Sequence, residues 1–273
     1  MQFGAETHAW LPELATLAQQ AGAAIMQHYR DADAAKLQDK SDGSPLTAAD
    51  LAAHEVICAG LKRIAPDIPI ISEENKDNPP VAPGTTFWMV DPLDGTKEFI
   101  SRNGEFTVNI ALIRDDLPVL SVVYAPVLDT TYLGQPGLGA WRIKGDGAPQ
   151  RIRISAPQGE LRVVASRSHS DEKTAALLQK LPPNQVVSAG SSLKFCMVAE
   201  GSADFYPRLG TTMEWDTAAA QCVLDAAGGR VVQCNGEALR YNKASWRNPH
   251  FFAIGAWLPV YDEIMAAYRT SDV

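Results

Sequence analysis

A turn rich in carboxylates directly follows an apolar segment of the chain. Asp91 and Asp94 come after the apolar residues 86–90. Pro92 fixes one backbone torsion between the two aspartates, and Gly95 permits a tight turn just after them. Two carboxylates and an exposed carbonyl in such a turn form the all-oxygen grouping that hard cations such as Mg²⁺ prefer. The turn therefore predicts metal-assisted chemistry on an anion, and a phosphate is the anion we expect.

Two further acidic residues are candidate metal ligands. Glu73 ends a short predicted strand, and Asp216 opens a predicted helix. Strand ends and helix starts are where sites gather in layered α/β folds. Shared carboxylates could hold two Mg²⁺ ions about 3.5–4 Å apart, which activate a water and stabilise the leaving oxygen. A solvated loop would also explain Glu73, a helix cap would explain Asp216, and turn chemistry would explain the aspartate pair.

A hydroxyl and a further carboxylate are candidates for handling a water molecule. Thr96 ends the acidic turn, and Asp50 lies three positions after Thr47. One interpretation of the latter pair is a capping box, in which Thr47 caps a helix and Asp50 reaches back to it. The functional alternative is that Asp50 accepts a hydrogen bond from Thr96, whose hydroxyl then orients the attacking water.

Three later segments carry hydroxyls and cations that suit an anion. Residues 190–194 include two serines and a lysine at a predicted strand-to-helix junction. Backbone amides there suit a phosphate, although a serine N-cap explains the same residues. Residues 166–169 also follow a strand and could line an anion or base pocket, whereas a single His169 is more typical of a surface loop. Arg208 could pair with a carboxylate or bind a phosphate.

The elements that must position these residues follow from the apolar pattern. Apolar residues at helical spacing predict a first helix ending near Tyr29 and a second over residues 47–64. Strands are predicted at residues 68–71, 86–90, 106–112 and 119–124, with short strands around Tyr132 and Trp141. The glycines of residues 145–147 predict a hairpin.

After residue 160, strands and helices alternate. Strands are predicted at residues 161–165, 185–188, 203–206 and 251–254, and helices at residues 171–181, 192–200, 216–227 and 258–268. This alternation predicts a sheet covered by helices and an α/β fold overall. We predict an N-terminal metal-binding subdomain over residues 1–157 and a C-terminal substrate-binding subdomain over residues 158–273.

Composition limits the class of partner. The chain has 273 residues, of which 46% are hydrophobic and 21% charged, as in an ordinary globular protein. A net charge of −8 argues against a nucleic-acid partner, because Lys and Arg hold phosphate backbones. The net charge does not exclude a small phosphorylated substrate, since bound Mg²⁺ can reverse the sign of the local electric field.

Cysteines and apolar runs bear on the compartment. The four cysteines lack Cys-x-x-Cys spacing, which predicts reduced thiols in a cytosolic protein. The first residues do not resemble a signal peptide, and no apolar run approaches the ~18 residues that span a bilayer. We therefore expect a cytoplasmic protein without a transmembrane segment. Peripheral contact with the inner face of the cell membrane stays open, as does the choice between monomer and homodimer.

Four motifs together resemble a known family. Residues 91–96 and 214–216 resemble the two signatures of the inositol monophosphatase superfamily, and residues 72–74 and 46–50 match its other motifs in the same order. The resemblance spans about residues 8–268. The branch that looks most similar is the CysQ-type 3′(2′),5′-bisphosphate nucleotidases, through residues 95–99, 166–169, 190–195 and 206–210. Thr211 departs from that branch, which usually carries proline there.

The resemblance implies a fold and an activity. The implied fold is a layered α/β/α/β/α sandwich, and the implied enzyme is a Mg²⁺-dependent, lithium-sensitive phosphomonoesterase. Its substrate would be a small phosphorylated nucleotide: metal-activated water would remove the 3′-phosphate of 3′-phosphoadenosine 5′-phosphate and leave AMP. Activity on inositol monophosphate or fructose 1,6-bisphosphate is the alternative on the same scaffold. A non-catalytic Mg²⁺ or nucleotide sensor and a two-metal nuclease are hypotheses of other classes, and the missing basic stripe disfavours the nuclease.

The resemblance also implies residue roles. Two or three Mg²⁺ ions would be held by Glu73, Asp91, the Leu93 carbonyl, Asp94 and Asp216. Thr96 with Asp50 would activate the attacking water. The substrate would contact Gly95, Thr96, Ser168, His169, Ser192, Lys194 and Arg208.

Overall fold

The computed structural model describes residues 5–30, 38–39, 45–46, 48–157, 159–166, 172–255 and 261–270. The helices are α1 (Ala5–Arg30), α2 (Ala48–Ile64), α3 (Thr96–Ile100), α4 (Glu172–Lys180), α5 (Leu193–Ala199), α6 (Ala218–Ala226) and α7 (Tyr261–Thr270). The strands form a seven-stranded sheet, a five-stranded sheet and one short antiparallel pair, β1 (Gln38–Asp39) with β2 (Pro45–Leu46).

The seven-stranded sheet carries the acidic turn. It comprises β3 (Ile70–Ser72), β4 (Phe87–Asp94), β5 (Thr107–Arg114), β6 (Leu117–Ala125), β7 (Thr130–Gln135), β8 (Gly139–Lys144) and β9 (Gln150–Ile152), in that order. Edge strand β3 runs parallel to β4, and the other neighbours are antiparallel. The parallel pairing places the end of β3 directly beside the end of β4, so that Glu73 comes next to the aspartate turn.

The five-stranded sheet is mixed. It comprises β10 (Leu161–Ser166), β11 (Asn184–Ala189), β12 (Phe205–Arg208), β13 (Arg230–Gln233) and β14 (Phe251–Ile254), in the order β11-β10-β12-β14-β13. Strand β10 pairs in parallel with β11 and β12, whereas β14 is antiparallel to both of its neighbours. The mixed sheet brings the start of α5 and the end of β12 towards the acidic turn, and both contribute to the cavity described below.

The two sheets and three helical layers alternate. Helices α1 and α2 pack on one face of the large sheet, and α5 and α6 lie between the sheets. The outer face of the small sheet packs against α4 and α7, through buried residues such as Leu177 and Ile264. Helix α6 is buried over its first seven residues, as expected of a helix that is apolar all round and sits between two sheets. The predicted α/β/α/β/α sandwich is thereby confirmed.

Short elements, α3 and β13 among them, were not predicted, and β4 runs to Asp94 instead of ending at residue 90, so that the predicted turn is an irregularity within this strand. Helix α3 spans five residues and β13 four, which is too short for apolar periodicity to indicate them. The last strand of the large sheet ends at Ile152, and the first strand of the small sheet begins at Leu161. The division into subdomains at residue 157 stays a prediction. All four cysteines are free thiols. No helix within the described ranges has the length and apolar character to cross a membrane.

Candidate active site

Both sheets, helix α3, the start of α5 and the segment before α6 line one cavity of about 250 Å³. Its acidic lining residues are Glu73, Asp91, Asp94, Glu98 and Asp216, and its cationic ones are Lys97, Lys194 and Arg208. Leu93, Gly95 and Thr96 also line it, so most of the site residues predicted from the sequence lie on one surface.

Three carboxylates converge at one end of the cavity. Glu73, Asp91 and Asp216 each place one carboxylate oxygen within 4.8 Å of the others. Two of these residues are set by strand pairing, because the Glu73 amide donates to the Val90 carbonyl at 3.1 Å, directly before Asp91. The Asp216 carboxylate accepts the amide of Met213 at 2.9 Å, just ahead of α6. Residues that are distant in the sequence therefore form one acidic group.

The charges of this group oppose each other. Burial raises the pKa of Asp91 well above its usual range, and the nearby charges of Glu73 and Asp94 raise it further. The pKa of Asp216 is raised by the same causes, first by burial and then by the neighbouring carboxylates. A divalent cation would relieve this repulsion, and an all-oxygen donor set suits a hard cation. The residues present therefore fit a metal such as Mg²⁺.

A break in the strand ladder shapes the aspartate turn. The register between β4 and β5 shifts between Asp91 and Asp94, where Pro92 has no amide to donate. The Leu93 amide instead donates to the Asp91 carboxylate at 3.1 Å. Gly95 then has a φ of 94°, a left-handed conformation that glycine adopts without strain. The chain can therefore enter α3 at once, which places Thr96 in the first turn of that helix.

Asp94 is bonded to the segment that opens α5. Its Oδ2 accepts the Ser191 hydroxyl at 2.5 Å and the Ser192 amide at 2.6 Å. The group of three carboxylates does not include it. Asp94 thus connects the large sheet to the segment that opens α5, besides lining the cavity.

Two polar residues of β5 support this connection and were missed in the sequence. Thr107 bonds the hydroxyls of Ser191 at 2.6 Å and Ser192 at 2.8 Å. Asn109 accepts from the Ser192 hydroxyl at 2.9 Å. Both Thr107 and Asn109 are buried on an otherwise apolar strand. Two polar residues at alternating positions of such a strand were the signal that could have identified them.

The two serines of the 190–194 segment face different ways. Ser191 lines the cavity and has a φ of 53°, which is uncommon for a residue other than glycine. The Ser192 side chain is 1% exposed, bonds Thr107 and Asn109, and is not among the lining residues. Gly190 permits the close approach, since a Cβ there would lie 2.8 Å from the Glu105 carbonyl oxygen.

Lys194 and Arg208 supply positive charge to the same cavity. Lys194 Nζ donates to the Ser191 carbonyl at 2.5 Å and lies 5.4 Å from the centre of the Tyr206 ring. Burial lowers the pKa of Lys194 to about 8, although the charge of Asp94 acts in the other direction. Arg208 Nη2 donates to the carbonyl of Thr211 at 2.8 Å.

Glu214, from the second signature, has a supporting contact. Its buried carboxylate accepts the amides of Asn242 at 2.8 Å and Lys243 at 2.9 Å, and it pairs with Lys243 Nζ at 2.5 Å. The Glu214 amide donates to the backbone carbonyl of Trp246. These contacts fix the segment that leads into Asp216.

The remaining predicted site residues have different positions. Asp50 is fully buried in the first turn of α2, which packs against β4, and its charge is one of those that raise the pKa of Asp91. Thr47, Ser168 and His169 lie outside the described residues. The predicted contacts of Ser168 and His169 with a substrate therefore stay predictions.

The layered fold and the acidic cavity define the class, a phosphatase scaffold of a generally metal-dependent kind. The model of the inositol monophosphatase family matches residues 8–265, and the chain belongs to that family. The predicted family and its phosphatase activity are thereby confirmed.

Relatives within the family are similar over most of their length. The chain is 49% identical over 246 residues to the 3′(2′),5′-bisphosphate nucleotidase CysQ of Salmonella typhimurium, covering 88% of this chain and 98% of that protein. It is 48% identical over 243 residues to the protein of the same name from Escherichia coli K12, with the same coverage of both chains.

Solved structures show the same fold. The crystal structure of CysQ from Bacteroides thetaiotaomicron, a bacterial member of the family, is 40% identical with a TM-score of 0.79, covering 93% of this chain and 99% of that one. An inositol monophosphatase from Anabaena, at 24% identity and a TM-score of 0.74 over 97% of this chain and 96% of that one, shares the fold.

Proposed function

We propose that the chain is a Mg²⁺-dependent phosphomonoesterase that removes the 3′-phosphate of 3′-phosphoadenosine 5′-phosphate, giving AMP and phosphate. The observation that carries the proposal is that three converging carboxylates line one cavity together with the cations Lys194 and Arg208. A substrate with two phosphates needs both: a metal site for the phosphate that leaves and fixed cations for the one that stays. The relatives that are about half identical bear the name of bisphosphate nucleotidases.

The acidic side would hold the metal. Two or three Mg²⁺ ions would be bound by the side chains of Glu73, Asp91, Asp94 and Asp216 and by the Leu93 carbonyl. When bound, Mg²⁺ neutralises charge on the phosphate and lowers the pKa of a water molecule. The carboxylates contribute by their fixed positions, because phosphoryl transfer depends mainly on positioning and charge neutralisation.

Thr96 and Asp50 would handle the attacking water. The Thr96 hydroxyl, at the start of α3, accepts the water proton and keeps the oxygen in line with the leaving group. Buried Asp50 would accept the proton of the Thr96 hydroxyl in turn. As the bond between phosphorus and the 3′-oxygen breaks, that oxygen would take a proton from a solvent water and leave as the 3′-hydroxyl of AMP. The amides of Gly95 and Thr96 would donate to the phosphate that is cleaved.

The cationic wall would bind the remainder of the nucleotide. Lys194 and Arg208 bind the 5′-phosphate as charged donors. Ser191 lines the cavity beside Lys194, and Ser192 acts through the hydrogen bond that its backbone amide donates to the Asp94 carboxylate. Ser168 and His169 would contact the nucleoside.

The first experiment measures phosphate release with Mg²⁺ from 3′-phosphoadenosine 5′-phosphate, inositol 1-phosphate and fructose 1,6-bisphosphate in parallel. A higher kcat/KM for the nucleotide is expected. A preference for inositol 1-phosphate or fructose 1,6-bisphosphate would overturn the proposed substrate and leave the proposed metal chemistry standing. Absence of turnover on all three would overturn both. The Asp91→Asn variant, purified in the same way, controls for contaminating phosphatases.

A further inference from the structure

Strand β3 ends at Ser72 on the open edge of the seven-stranded sheet. The amide of Trp88 donates to the carbonyl of Pro69, and the amide of Glu73 donates to the carbonyl of Val90. Because alternate residues of a parallel strand face a given neighbour, the amide and carbonyl of Ser72 point away from β4. No other strand of the described chain lies on that side to pair with them.

One side chain takes the place of the missing strand. The Asn78 carboxamide oxygen accepts the Ser72 amide at 3.0 Å, and its nitrogen donates to the Ser72 carbonyl at 2.8 Å. A carboxamide offers one acceptor and two donors, so it can satisfy both backbone groups at once. A buried backbone group without a partner is costly, and Ser72 is fully buried. Asn78 therefore closes the edge of the sheet at the residue directly before Glu73.

Ser72 is also held through its side chain. Its hydroxyl bonds Nδ1 of His54 on α2 at 2.9 Å. The backbone of Glu73 is in turn bonded to Val90 on the β4 side. The loop from residue 73 to residue 86 then leaves the sheet. Glu73 thus stands at the point where an ordered strand becomes a loop. The Val90 bond holds it on the β4 side, and the Asn78 bracket holds the preceding residue on the open side.

We propose that Asn78 is a positioning residue of the metal site: by bracketing Ser72 it holds Glu73 where its carboxylate converges with those of Asp91 and Asp216. The inference rests on the proposed function, in which Glu73 is a metal ligand. Asn78 itself does not line the cavity. Without the Asn78 side chain, the Ser72 amide would lose its partner and the Ser72 carbonyl would keep only the Asn75 amide at 3.2 Å. The strand end would then fray, and Glu73 would leave the converged arrangement part of the time.

The loop has a second anchor that should keep an Asn78 variant folded. Asn242 Nδ2 donates to the Val81 carbonyl at 3.3 Å, and the Asn242 amide is bonded to Glu214. Loss of Asn78 therefore loosens the strand end without releasing the whole loop.

The test compares Asn78→Ala with Asn75→Ala. Asn75 lies in the same loop, and its side chain accepts the amide of Asp77 at 3.2 Å, so its removal leaves the Ser72 bracket intact. MgCl₂ is titrated into each metal-free protein, and the unfolding temperature and tryptophan fluorescence are followed without substrate. Removing a residue that orients a ligand typically costs about tenfold or more in metal affinity, so the Mg²⁺ midpoint of Asn78→Ala should rise about tenfold. Asn75→Ala should match the wild type.

Turnover supplies a second readout. In Asn78→Ala, kcat should recover at high Mg²⁺, and KM for the nucleotide should stay unchanged because the cationic wall is intact. Asn78→Gln, which keeps the carboxamide on a longer arm, should restore part of the Mg²⁺ affinity.

The outcomes separate the two proposals. Equal Mg²⁺ midpoints in the wild type and Asn78→Ala would overturn the positioning role alone. So would a lower unfolding temperature in metal-free Asn78→Ala combined with an unchanged Mg²⁺ midpoint, which is the mark of a purely structural residue. No response of the wild type to MgCl₂ would overturn the proposed metal site together with this inference.

Discussion

The acidic wall of the cavity (Glu73, Asp91 and Asp216) and its cationic wall (Lys194 and Arg208) are built in different ways. In the acidic wall, short side chains are held by backbone geometry: a parallel strand pair, a proline break and a left-handed glycine. In the cationic wall, long side chains reach from α5 and β12 and donate to backbone carbonyls. The acidic wall therefore depends on fixed distances between like charges, whereas the cationic wall depends on long side chains that donate hydrogen bonds.

The largest expected effect is in the acidic wall. Asp91→Asn removes one of the converged charges at nearly constant volume and keeps an acceptor for the Leu93 amide. We expect turnover to fall about a thousandfold, since metal-ion catalysis supplies several kcal/mol. The metal-free variant should also unfold at a higher temperature than the wild type, because burial and neighbouring charges disfavour the carboxylate. Phosphate release and thermal unfolding with and without MgCl₂ measure both effects.

Two results would break this view of the acidic wall. Turnover at the wild-type rate under saturating Mg²⁺ would exclude Asp91 as a ligand. A lower unfolding temperature in the metal-free variant would show that like-charge repulsion is not what opposes folding there. Asp146→Asn, an aspartate in an exposed turn, is the matched control and should change neither quantity.

A smaller and more selective effect is expected in the cationic wall. Arg208→Ala should raise KM for the bisphosphate nucleotide about tenfold to a hundredfold, the range for one charged hydrogen bond of 1.5–3 kcal/mol. It should leave kcat, and the KM for a substrate with a single phosphate, nearly unchanged, because the three carboxylates of the acidic wall are kept. Steady-state kinetics on both substrates measure the split. An equal loss on both substrates would place Arg208 at the scissile phosphate instead, and exposed Arg114→Ala is the control.

The charge of Lys194 predicts a pH dependence. Burial lowers the pKa of Lys194 to about 8, so the side chain is charged below that pH and neutral above it. An anionic 5′-phosphate binds the charged form better, and kcat/KM for the nucleotide relative to a monophosphate should therefore fall above about pH 8. Taking the ratio of kcat/KM for the two substrates cancels any effect of pH on the metal chemistry that they share. Lys194→Arg should keep the ratio level, and a level ratio in the wild type would contradict the assignment.

The sequence predicts the members of both walls, but not the contacts that hold them in place. The acidic turn lies in one contiguous segment, residues 91–95, so its geometry follows from local backbone preferences. Which of two adjacent serines faces the cavity depends on the left-handed φ of Ser191, a tertiary outcome that composition does not indicate. The bracket of Asn78 on Ser72 likewise needs the open edge of β3, which only the assembled sheet reveals. Local chemistry was therefore predictable, and the contacts that hold it in place were not.

The smallest expected effect lies in the central helix, outside both walls. Burial raises the pKa of Asp225 to about 7, and its bond from Gln221 only partly opposes the shift. A carboxyl whose folded pKa is raised binds more protons in the folded than in the unfolded state. Protonation of Asp225 therefore stabilises the folded state at low pH. This contribution to the free energy of unfolding is lost as the pH rises from 3.8, the ordinary pKa of the group, to about 7, its pKa in the folded state.

Asp225→Asn mimics the protonated form, so it should unfold at a higher temperature than the wild type at pH 8 and at about the same temperature at pH 4. The comparison is the difference between the two unfolding temperatures at each pH, which cancels the titration of all other groups. A difference that stays constant with pH would show that the Asp225 carboxyl keeps an ordinary pKa. Since Asp225 lies outside the cavity lining, kcat and KM should not change. A change in either would mean that α6 transmits the charge of its C-terminal end to Asp216, and the separation of the two walls from the central helix would then fail.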